Sequence, residues 1–213
     1  MLLTPGTYSG LLSTIQRMET VILEASSPEQ IRAAVSRACR FLNRGQIVAL
    51  PTETVYGLAA CAFNPVACAS VFEAKQRPAF DPLIVHVLDK TMLNQVAEVP
   101  ADIADPIDRL VSEFWPGPLT LILKNGGFIS ESASAGYKSV AVRIPSHPFA
   151  LSMLELFSKI GSGIVAAPSA NRFSFVSTTN AEDAELSLQN HLDKADMIVT
   201  SKNRDECKFG LES

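Results

Sequence analysis

The chain has 213 residues, 47% hydrophobic and 19% charged, which supports one sizeable core and excludes a disordered chain. Its formal net charge of −4 argues against a broad nucleic-acid-coating surface, though not against a local basic cleft. No apolar run reaches membrane-spanning length, no secretory signal opens the chain, and the four cysteines form no C-x-x-C pair, so they read as reduced thiols of a cytosolic protein. His86, His147 and His191 are too scattered to suggest a metal-binding cluster.

In chain order, residues 1–20 show little periodicity and read as an N-terminal extension, with Met18 opening a more convincing segment. Ser27-Pro28-Glu29-Gln30 is a capping box with proline at the first helical position. Ile31, Ala34, Val35, Ala38, Cys39 and Leu42 then recur at helical spacing, and Gly45 ends that helix. Residues 47–50 read as a buried strand. Asn64-Pro65 starts a helix towards Lys75; residues 83–88 read as a strand and 103–114 as a helix. Strands are predicted over 119–123 and 140–143, a helix over 148–157, and a strand over 164–167. Thr179-Asn180 caps a helix through about His191, and 197–200 is a last strand. This alternation with short connections predicts one α/β domain over 21–213, a twisted mixed sheet with flanking helices. The end at Gly210-Leu211-Glu212-Ser213 reads as cut short.

Several segments are too polar or too rigid for places beside buried strands. Pro51-Thr52-Glu53-Thr54-Val55-Tyr56-Gly57 sets hydroxyls and a carboxylate at a strand end, where ligands bind in open α/β sheets; an ordinary turn is the alternative. Lys75-Gln76-Arg77-Pro78, if extended, points two cations the same way, as a polyphosphate requires; a solvated helix end is the alternative. His86 stands alone in an apolar strand, the usual place of a satisfied core histidine. Trp115-Pro116-Gly117-Pro118 reads as an architectural turn. Arg143 ends an apolar strand and must reach solvent or an anion, so an anionic substrate group and a structural salt bridge are both open. Ala167-Pro168-Ser169-Ala170-Asn171 combines small residues with short hydrogen-bonding side chains. There is no P-loop, no G-x-G-x-x-G and no G-x-S-x-G.

Taken in order, these segments, with Pro82-Leu83-x-Val85-His86, Leu119-Thr120 and Val140-Ala141-Val142-Arg143-x-Pro145-x-His147-Pro148, closely resemble the Sua5/YrdC/TsaC family over about residues 28–213. The resemblance implies a YrdC/RibB-like fold with a concave, positively lined cleft. It also implies synthesis of threonylcarbamoyl-AMP from L-threonine, bicarbonate and ATP, with pyrophosphate released and Mg²⁺ bridging phosphates. A tRNA threonylcarbamoyltransferase complex would take the product to the adenosine beside the anticodon, with contact to RNA and a cytoplasmic location. By the same resemblance Lys75 and Arg77 are catalytic and line the ATP site with Ser139, Ser169, Asn171 and Ser177, while Thr52, His86, Arg143, Ala167 and Ser213 surround threonine. Lys75→Ala is expected to lose most adenylate formation with the fold intact. The loop after Asn171 departs from the family, with Ser174 and Thr178 where Gly and a Ser-Pro-Thr are common. The alternatives are a non-catalytic RNA-binding module of this fold, including one for double-stranded RNA, or a paralogue acting on another small substrate.

Overall fold

A computed structural model describes residues 21–24, 27–188, 195–200, 207 and 210–212. The predicted extension over 1–20, the helix beyond 188 and Ser213 lie outside the described residues. Strand β1 (Val21–Glu24) precedes helix α1 (Pro28–Asn43), whose capping box forms as predicted, Ser27 Oγ accepting from Gln30 N and Gln30 Oε1 from Ser27 N. Caps of this kind contribute about 1 kcal/mol. Then come β2 (Ile47–Leu50), β3 (Gly57–Cys61) and α2 (Pro65–Lys75), the last capped by Asn64 Oδ1. After β4 (Ile84–His86), β5 (Ala97–Glu98) and α3 (Ala104–Phe114) follow β6 (Leu121–Asn125) and α4 (Glu131–Ser134). The described chain closes with β7 (Ser139–Arg143), α5 (Pro148–Ile160), β8 (Val165–Ala166), α6 (Ala181–Leu188) and β9 (Ala195–Thr200). Among the described residues no helix is long and apolar enough to cross a membrane.

The strands form one mixed sheet in the order β1-β9-β2-β3-β8-β4-β7-β6-β5. β9 lies parallel between β1 and β2, and β4 is parallel to β7; the remaining pairs are antiparallel. Successive side chains leave opposite faces of a strand. Accordingly Ile47, Ala49, Leu58, Ala60, Val85, Val142 and Ala166 pack with α2, α3 and α6 on one face. Val48, Leu50, Ala59 and Val165 pack with α1 and α5 on the other.

The second face is only partly covered. Ile84 pairs with Ala141, which also pairs with Ile122, and His86 pairs with Arg143. Period-two alternation puts these residues and Ser139 on the same side as Val165. Ile122 is 74% exposed there, so the sheet is open towards β6 and leaves room for a ligand.

Several elements differ from the sequence expectation, β1, β5 and α4 among them, which were not expected. β3 was not predicted, because Gly57-Leu58-Ala59-Ala60-Cys61 lacks the branched residues that favour strands; pairing to β2 and β8 makes it one. β6 starts at Leu121 rather than 119, since Leu119 O instead accepts from Trp115 Nε1 at 2.7 Å. Lys75 is the last residue of a helix and Gln76 takes a left-handed conformation (φ 50°), so Lys75-Gln76-Arg77 is not extended.

Candidate functional site

Two chain segments converge where the open face meets the ends of β4 and β7. The loop after β2 folds on itself: Thr52 Oγ1 donates to Val55 O at 2.6 Å and accepts from the backbone N–H groups of Thr54 and Val55. The segment after β8 lies antiparallel against the start of β3, with Leu58 N donating to Pro168 O at 2.8 Å and Ala170 N to Tyr56 O at 2.7 Å. Together with β4 and β7 they enclose a pocket lined by Thr52, Thr54, His86, Arg143, Ala167 and Ser169, among others. The predicted threonine-site residues Thr52, His86, Arg143 and Ala167 thus come together around one cavity.

Arg143 is buried and ion-paired with Glu53, Nη2 to Oε1 at 2.6 Å. Its Nη1 donates to Thr54 Oγ1 at 2.9 Å and its Nε to Gly117 O at 3.0 Å. Of the two partners left open by the sequence, the structural salt bridge is therefore present. It does not exhaust the guanidinium, which has five N–H groups. Burial raises the Glu53 carboxyl; the Arg143 charge and hydrogen bond, with backbone N–H groups of Glu53 and Ser146, outweigh it and hold the group below its ordinary value.

His86 is also buried, and desolvation followed by the Arg143 charge pushes it down to about 3. It is neutral at physiological pH. Its Nδ1 lies 3.3 Å from Ile84 O, which can only accept, so the proton belongs on Nδ1 and Nε2 is left as an acceptor.

The predicted nucleotide residues form a second cluster beside this pocket. The Lys75 amine donates to Ser169 O and Asn171 O, and Lys75 O accepts from Phe173 N at 2.9 Å. Arg77 donates to Asp81 O and Pro82 O, pairs with Asp81 at 3.0 Å, and lies 5.9 Å from the Phe173 ring centroid. Asn171 Nδ2 donates to Arg172 O and Phe175 O, while its buried Oδ1 has no partner among the described residues. Lys75, Arg77, Ser169 and Asn171 are thus brought together, although Lys75 is 1% exposed rather than displayed. Lys75→Ala would consequently unpick the tie between α2 and the segment after β8, so an intact fold is not the expected result. Ser174 takes a left-handed conformation at φ 66°.

Ser177 and Ser139 stand further off. Ser177 Oγ donates to Glu212 Oε1 at 2.6 Å, and Glu212 reaches the pocket rim. Ser139 opens β7 on the same open face as Arg143, about 13 Å away along the strand. Sequence reasoning passed over Glu53 and Thr54 as individual residues. The signal was available: a carboxylate beside a buried strand needs a cation.

The family model for Sua5, YciO and YrdC, which carries the description telomere recombination, matches residues 40–213. The chain belongs to this family. It is 38% identical over 176 residues to the threonylcarbamoyl-AMP synthase of Pyrococcus abyssi, covering 83% of this chain and 48% of that protein. To the threonylcarbamoyl-AMP synthase of Bacillus subtilis it is 41% identical over 150 residues, covering 70% and 41% respectively. The chain therefore spans about half or less of the length of these curated relatives. In three dimensions it is similar to the crystal structure of P. abyssi Sua5 complexed with L-threonine, with a TM-score of 0.78 at 36% identity, covering 91% of this chain and 53% of that one. Family membership accounts for one mixed sheet with flanking helices, whereas the lining of the pocket on the open face is not positive overall, its one cation among the described residues, Arg143, being paired with Glu53 and Glu212 standing at the rim.

Proposed function

We propose that the chain synthesises threonylcarbamoyl-AMP, as a nucleotidyltransferase acting on L-threonine, bicarbonate and ATP. The observation that carries this reading is the single pocket holding Thr52, His86, Arg143 and Ala167 next to the Lys75, Arg77, Ser169 and Asn171 cluster. The threonine amine and bicarbonate give a carbamate and water. A carbamate oxygen then bonds to the α-phosphorus of ATP as the bond to pyrophosphate breaks. No enzyme-bound intermediate is required. The protein's contribution is to hold two anions that repel each other and to stabilise charge on the leaving group.

In this reading Arg143 takes the threonine carboxylate and neutral His86 accepts a hydrogen bond through Nε2. Lys75 and Arg77 serve the phosphates, and Asn171 and Ser169 stand beside them. Ser139 and Ser177 extend the nucleotide site along the open face, and Ser213 adds to the threonine side. Among the described residues there is no group of three or more His, Cys, Asp or Glu side chains suited to a metal. Mg²⁺ would enter with the ATP phosphates. A cytoplasmic location and delivery to a tRNA threonylcarbamoyltransferase complex belong to the same reading.

The test is pyrophosphate release from ATP and Mg²⁺ by the purified chain. Release that requires both L-threonine and bicarbonate is expected. Release independent of threonine, or none from a chain that binds ATP, would defeat the synthase reading.

A further inference from the structure

Building on the threonine-site reading, we propose that Glu53 is a positioning residue: it holds the Arg143 guanidinium so that its unspent N–H groups meet the L-threonine carboxylate.

A guanidinium is a rigid plane with five N–H groups. Three are spent on separate anchors: Nε on Gly117 O, Nη1 on Thr54 Oγ1 and Nη2 on Glu53 Oε1. Gly117 comes from the turn after α3, while Glu53 and Thr54 come from the loop after β2, so the plane is held from two sides. What remains is one N–H on Nη1 and one on Nη2. Guanidinium N–H groups left over in this way are strong donors to a carboxylate. Arg143 lines the pocket, and Glu53 does not.

The direction of the neighbouring hydrogen bonds supports the same assignment. Thr52 gives its one hydroxyl proton to Val55 O, so in the 2.9 Å contact between Thr52 Oγ1 and Thr54 Oγ1 the donor is Thr54. Thr54 Oγ1 is then free to accept from Arg143. The hydroxyl of Thr52 is saturated by this chain of bonds, which makes Thr52 a buttress and leaves carboxylate capture to Arg143.

The experiment compares KM for L-threonine and for ATP in wild type, Glu53→Gln, Arg143→Gln and the double variant. Glu53→Gln is expected to raise the threonine KM at least about tenfold with the ATP KM within about twofold, because a neutral amide oxygen holds the guanidinium less firmly than a carboxylate does. That rise should vanish in the Arg143→Gln background, because Glu53 acts through Arg143. An unchanged threonine KM, a parallel shift of both KM values, or full additivity in the double variant would overturn the proposal. Should Glu53→Gln lose cooperative unfolding, Glu53→Asp carries the test, since it keeps the charge and retracts it by one methylene. A selective rise in threonine KM is expected there too, and none overturns the role. Calorimetric L-threonine binding separates this from the synthase reading. Wild type that binds threonine without releasing pyrophosphate defeats only the synthase reading, and the role of Glu53 is then decided by comparing affinities. Wild type that binds no threonine defeats both.

Discussion

Lys75 is a cation placed where a cation is costly. Burial, and then the neighbouring Arg77 charge, lowers its amine from 10.5 to about 7. The two carbonyl acceptors are satisfied in either protonation state, because a neutral amine still has two N–H groups. Below about 7 the folded and unfolded chains both hold the proton. Between about 7 and 10.5 the unfolded chain holds a proton that the folded chain has released, so this group's contribution to stability rises with pH across that window. If the ATP phosphates meet Lys75, their negative charge must raise the amine again. ATP binding at pH 8 should then take up close to one proton, about 0.9 by simple titration. Calorimetry in Tris and in Hepes would report this as a buffer-dependent enthalpy. A buffer-independent enthalpy in wild type would place the phosphates elsewhere.

The turn between α3 and β6 reads as architectural in sequence, and its architecture reaches the site. Gly117 N donates to Ile144 O at 2.8 Å, and Gly117 O anchors Arg143 Nε. A Cβ on Gly117 would lie 2.3 Å from Phe114 O, a backbone atom that cannot swing away. Gly117→Ala must therefore shift the turn and with it one anchor of the guanidinium. A stability loss of about 1–3 kcal/mol in urea unfolding is expected, as for other overpacked sites. A raised threonine KM should accompany it. A variant with wild-type midpoint and wild-type KM would show that the turn yields without moving Arg143.

Across the whole molecule, helices cover one face of the sheet and part of the other, and the thiols report on that packing. Cys39 belongs to the α1/α5 side and Cys68 to the α2 side; burial pushes them up to about 12 and about 11. Cys61 and Cys207 are only partly buried, and none of the four forms a disulfide. Iodoacetamide at pH 8 should label Cys61 and Cys207 in the native protein and reach Cys39 and Cys68 only on unfolding, since the thiolate is the reactive form. Peptide mapping by mass spectrometry separates the four. Prompt native labelling of Cys39 would contradict the close packing of α1 on α5.

The sequence by itself determined the elements whose signals are local. Ser27-Pro28 and Asn64-Pro65 mark helix starts, and apolar spacing carries α1, α3 and α5 to within a few residues of their observed ends. The ordered set of motifs also pointed to the family, because each motif is contiguous along the chain. Tertiary structure decided what depends on partners far apart in sequence. β3 is a strand only because β2 and β8 flank it, and β9 enters between β1 and β2 from the far end of the chain. Glu53 and Arg143 are 90 residues apart, so no local pattern could choose between a salt bridge and a ligand for that arginine. The fold supplies both: a carboxylate fixes the guanidinium, and the N–H groups it leaves unspent are what a substrate can meet.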